Sequence, residues 1–89
     1  MTLITSRDNP RFRELVGLAE SGRDRRQAGL VLIDGLHLIA SYRQRLGAPH
    51  QLVVSSSGRR RPDVANLLGS LPEVPQLELS DGLFRQLST

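Results

Sequence analysis

The stretch Leu30-Val31-Leu32-Ile33-Asp34-Gly35-Leu36-His37 constrains the fold most. Four consecutive apolar residues, two of them β-branched, predict a strand buried on both faces, as at the centre of a parallel sheet. Asp34-Gly35 ends the run, and helical spacing begins at once. The junction therefore predicts strand, turn, helix, with Asp34 as the helix N-cap and Gly35 serving the turn. In open α/β sheets, ligands sit outside the carboxyl ends of such strands. Any site is expected near Asp34, Gly35 and His37, although no catalytic motif stands there.

Elements of alternating type flank this junction. Leu3-Ile4-Thr5 reads as a short strand or arm. Asn9-Pro10 then opens a helix, with Pro10 at its first position and Asn9 as the cap. Phe12, Leu15, Val16 and Ala19 recur at helical spacing as its buried face. Ser21-Gly22-Arg23-Asp24 has capping-box spacing, so a second short helix is expected over 22–28, closed by a left-handed Gly29. That helix has no apolar stripe and presents charge. The helix after the central strand is expected to bury Ile39, Tyr42 and Leu46, helped by Leu38, and to stop at Gly47.

Leu52-Val53-Val54 predicts a second buried strand. Residues 55–62 form a basic loop, and Val64, Leu67, Leu68 and Leu71 another helix face. Leu77 and Leu79 alternate with Gln76 and Glu78, which predicts a shorter strand with one wet face. Ser80-Asp81 is expected to cap a last helix that carries Leu83, Phe84 and Leu87. Strands alternating with helices imply βαβ units and a mostly parallel sheet. With 89 residues, the chain makes one domain, 1–89, with a modest core.

The core must be aliphatic, because Phe12, Phe84 and Tyr42 are the only aromatics. With no cysteine, disulfides and thiolate metal sites are excluded, and two histidines make a poor metal centre. No apolar run is long enough to span a membrane and no signal-peptide pattern opens the chain, so the expected location is cytoplasmic. Net charge is +3, and every one of the 12 basic residues is Arg. Guanidinium groups recognise phosphate bidentately and stack on bases, which favours nucleic acid as a partner. No nucleophile–base pair, glycine-rich phosphate loop or paired carboxylate stands out. From the residues alone, the chain is a small basic α/β domain suited to polyanions.

A family pattern adds to this. Ile4-Thr5-Ser6-x-x-Asn9-Pro10-x-Phe12-Arg13-x-Leu15, then Arg25, then Gly29-Leu30-x-Leu32-Ile33-Asp34-Gly35-x-His37 resembles the start of SpoU (TrmH-type) RNA ribose 2′-O-methyltransferases. Leu79-Ser80-Asp81-x-Leu83-Phe84-x-x-Leu87-Ser88 is similar to the end of the same substrate-binding domain. Asp34 departs from the family's usual Glu, and Arg13 from a frequent Lys; both keep the charge. The resemblance implies a three-layer α/β/α sandwich with a small, mostly parallel sheet, similar to RNA-binding ribosomal proteins. It implies a domain that recognises transfer or ribosomal RNA and precedes a catalytic domain.

That missing domain would bind S-adenosylmethionine and make the parent enzyme a homodimer. No cofactor, metal or catalytic residue is expected within these 89 residues, which are expected to be part of a longer enzyme. The candidate RNA-binding residues are Arg7, Asn9, Arg13, Arg23, Arg25, Arg26 and His37. Two other functions remain open: a stand-alone RNA-binding protein of the ribosomal type, and a protein–protein docking domain without RNA contact.

Overall fold

The computed structural model describes residues 1–87. Strand β1 (Thr2–Ile4) leads to helices α1 (Pro10–Glu20), α2 (Gly22–Ala28) and α3 (Leu36–Leu46). Strand β2 (Leu52–Ser55), a 3-10 turn (Gly58–Arg60), α4 (Pro62–Ser70), β3 (Gln76–Leu79) and α5 (Asp81–Leu87) follow. The three strands are parallel, in the order β1-β3-β2. Thr2 stands opposite Leu77 and Ile4 opposite Leu79; Leu52 stands opposite Gln76 and Ser55 opposite Leu79. Parallel neighbours need crossover connections, and α4 supplies the one from β2 to β3.

Two apolar layers sandwich this sheet. On one face, Ile4, Leu77 and Leu79 pack with Phe12 of α1 and Leu83 of α5, joined by Leu15, Val16 and Val53. On the other, Leu52 packs with Leu68 of α4, Leu71 and Val74, joined by Val54 and by Ile39 of α3. Val53 and Val54 thus face opposite layers, as strand alternation demands. The fold is an α/β sandwich with a small parallel sheet, and its core is aliphatic apart from Phe12 and Phe84. No helix among the described residues is long and apolar enough to cross a membrane.

The central strand is β3, not the run at 30–33. Residues 30–34 form no strand; Val31 is 75% exposed and Leu32 58%. β3 takes the centre because its polar residues are satisfied there. Gln76 Nε2 donates to the Leu68 and Leu71 carbonyls, both at 3.0 Å, tying off the end of α4. Glu78 is 9% exposed and accepts from Arg59 Nη1 at 2.6 Å. The face expected to be wet is therefore covered, by α4 on one side and the basic loop on the other.

Further corrections are local. Gly35, not Asp34, is the residue that precedes α3; its φ is +103° and no side chain caps the helix there. Ser80 stands directly before α5, as expected, and Asp81 in its first turn accepts from Ser57 N–H at 2.9 Å, tying α5 to the loop after β2. Leu38 and Leu46 are exposed and Tyr42 is half-buried, so of its expected face α3 packs on the core through Ile39. Its other tie is Arg43, whose guanidinium donates to Ser70 Oγ at 2.7 Å. The helix expected to open at Pro10 does so and runs to Glu20, and the one expected over 22–28 forms there, with Gly29 left-handed at φ +70°. The expected match at Ser88 lies outside the described residues.

Candidate nucleic-acid interface

The arginine-bearing surface starts from two caps. Asn9 has extended backbone, and its Oδ1 accepts from Arg11 N–H at 2.9 Å and Phe12 N–H at 3.4 Å. Two orphan donors at the start of α1 are thereby satisfied, so Asn9 is a structural cap. Ser21 is the single residue between α1 and α2. Its Oγ accepts from Asp24 N–H at 3.1 Å, which starts α2 with no intervening loop.

So tight a turn requires a close approach of the two helices. It occurs at Gly17, where an added Cβ would stand 3.1 Å from Asp24 Oδ2. Arg25 then reaches back across the turn. Its Nη1 donates to the Leu18 carbonyl at 2.7 Å and the Ala19 carbonyl at 3.2 Å, covering orphan acceptors at the end of α1. The residue expected to present charge to solvent thus also holds the hairpin together.

Arg25 and Arg26 meet above Gly22. An added Cβ at Gly22 would be 3.4 Å from Arg26 Nη1 and 3.5 Å from Arg25 Nη2. Two guanidinium groups therefore share one spot at the start of α2. Neither is in an ion pair: those among the described residues are Arg59–Glu78 and Arg61–Asp63. Arg23 is exposed on the same short helix. Arg13 is exposed one helical turn before Gly17, about 6 Å along the axis, on the side of α1 that meets α2.

The other candidates stand apart from this spot. Arg7 is exposed in the connection between β1 and α1, just outside the carboxyl end of β1. His37 is exposed in the first turn of α3. The structure therefore groups Arg25 and Arg26, sets Arg23 and Arg13 on the same hairpin, and leaves Arg7 and His37 on other elements.

A second charged cluster was not foreseen. At the carboxyl ends of β2 and β3, the Ser56 hydroxyl and then the Arg59 guanidinium hold the Glu78 carboxyl below the ordinary range. The Ser57 backbone N–H does the same for Asp81, with Arg85 and Arg60 adding to it. Ser55 Oγ also accepts from Gly58 N–H at 2.9 Å, so the basic loop is pinned rather than loose. The signal in the sequence was Glu78 itself, an acid within a strand beside a loop of three arginines. No group of three or more His, Asp or Glu among the described residues is placed to hold a metal ion. No family model, no curated protein and no solved structure matches the chain.

Proposed function

We propose that this chain is the RNA-binding, substrate-recognition domain of a SpoU-type (TrmH-like) ribose 2′-O-methyltransferase acting in the cytoplasm on transfer or ribosomal RNA. The family part of the reading rests on the residue pattern from Ile4 to His37 and from Leu79 onward. Methyl transfer and S-adenosylmethionine belong to the catalytic domain of the homodimeric parent, and no residue here is assigned to them.

The observation that carries RNA binding is the pair of guanidinium groups above Gly22, with no carboxylate among the described residues on either. Two like charges at one spot repel, and a bridging phosphate turns that repulsion into attraction. Arg13 and Arg23 extend the positive surface along the hairpin. Such contacts position a nucleic-acid backbone without reading its sequence.

The test is a titration with native RNA at two salt concentrations. Arg26→Ala and Arg13→Ala are compared with Arg45→Ala, which removes the same charge from α3. Each hairpin variant is expected to weaken binding at all sequences and to flatten the salt dependence by about one unit. Arg45→Ala is expected to do neither. Equal losses in all three would reduce the effect to net charge, and no binding at low salt would favour the protein-docking alternative.

A further inference from the structure

An open, mostly apolar cavity of about 320 Å³ lies between α1, α3 and the start of β2. Its walls include Leu15 and Leu18 of α1, Ile39 and Tyr42 of α3, and Leu52 and Val53 of β2. The extended run Leu30–Ile33 closes one side, and the exposed Val31 and Leu32 form its lip. Leu30 N–H donates to the Arg25 carbonyl at 2.9 Å, so this side is tied to α2. Small-molecule sites run from about 300 to 1,000 Å³, with apolar walls and a few placed polar groups. This cavity stands at the small end of that range, with room for a single flat ring system.

Its polar groups connect it to the arginine pair on the hairpin. Arg25 lines the cavity, and its Nη1 is held by the carbonyls of Leu18 and Ala19, which line it too. The same guanidinium shares the spot above Gly22 with that of Arg26. A phosphate on those two groups would therefore stand at the edge of the cavity. His50 and Gln51 lie where the cavity adjoins a second one of about 270 Å³, which Arg11 and Glu14 also line. The Gln51 amide carries both donors and an acceptor, as the hydrogen-bonding edge of a nucleobase requires.

We propose that this cavity takes one unpaired base of a bound RNA, whose backbone phosphate lies on Arg25 and Arg26. The proposal rests on the RNA-binding reading and adds selectivity to it. The guanidinium pair alone holds any phosphate backbone, whereas the cavity admits only a base that has left its helix. Bases in loops and bulges can be splayed out and stacked on aromatic rings or guanidinium planes, and paired bases cannot. Tyr42 supplies the ring and Arg25 the plane. The aliphatic walls cover the faces of the base, which every nucleobase has, and Gln51 and His50 meet its polar edge. Arg25 is fixed before any RNA arrives, so little side-chain freedom is lost when it stacks.

Two end-labelled RNA duplexes of equal charge test this by fluorescence anisotropy with the full chain. One carries a single bulged adenine, and the other an abasic bulge at the same place. The adenine bulge is expected to bind about 5- to 100-fold more tightly, the span that stacking of one base supplies. Val53→Phe, which fills the cavity from β2, is expected to bring the adenine bulge down to the affinity of the abasic one. Tyr42→Leu is expected to remove most of the difference, and it serves alone if Val53→Phe does not melt cooperatively. Arg26→Ala is expected to weaken both RNAs alike. Equal affinity of the unmodified chain for the two RNAs would overturn the pocket and leave phosphate binding standing. A preference for the adenine bulge that survives in the folded variants would also overturn it, by placing the base elsewhere. No binding of either RNA at low salt would overturn the RNA-binding function and the pocket with it.

Discussion

At the scale of single residues, the lesson of this molecule is that one side chain can hold two roles. Arg25 reads in the sequence as a solvent-facing charge, and it lies beside Arg26 as that reading requires. It also donates twice to carbonyls at the end of α1. Hydrogen bonds from a charged donor contribute about 1.5–3 kcal/mol when well protected, and this one is half-exposed. Arg25→Ala is therefore expected to lower stability by about 1–2 kcal/mol in a denaturant titration, while Arg23→Ala stays within about 0.5 kcal/mol. Equal stability of the two would show that the bridge across the turn contributes nothing. Asn9 makes the same point from the other side. A side chain placed among the RNA candidates is committed to two backbone amides at the start of α1.

At the scale of elements, β3 shows how polar residues can select the centre of a sheet. Leu77 and Leu79 fill one apolar layer, while Gln76 and Glu78 are answered by α4 and by Arg59. The Glu78 carboxyl is held below its ordinary range by the Ser56 hydroxyl and by Arg59. A carboxyl whose folded-state value is lowered stabilises the fold above its unfolded value, which for Glu is about 4.3. That stability is lost as pH falls from there through the lowered value. Glu78→Gln is thus expected to flatten the acid limb of the stability curve, measured as melting temperature from pH 6 down to about pH 2. Asp81 titrates in the same direction, so the limb flattens without disappearing. An unchanged limb would mean that the Arg59–Glu78 pair is not formed in solution.

At the scale of the whole molecule, the described residues form three short strands and five helices around two small apolar layers, and Leu79 lies at the centre of one of them. Its side chain is wholly buried, and its strand position pairs with both Ile4 and Ser55. Leu79→Ala is expected to cost about 2–5 kcal/mol, against a total of about 5–15 kcal/mol for a domain. A large drop in the midpoint of thermal unfolding checks this, and a drop of only a few degrees would place the centre of the core elsewhere. The sequence by itself determined what depends on neighbours along the chain. The helix limits around Asn9-Pro10, Ser21 and Gly29 come from capping and backbone freedom, and the apolar face from Phe12 to Ala19 comes from helical spacing. The alternation of strands and helices was legible for the same reason, and so were the arginines of α2, which carry no apolar stripe. Tertiary structure alone decided which strand stands in the middle. Leu30–Ile33 has the stronger strand signal, but pairing depends on which backbone edge is free and on who answers the buried polar groups. Gln76 and Glu78 find their partners only once α4 and Arg59 are in place, and nothing within four residues of either announces it.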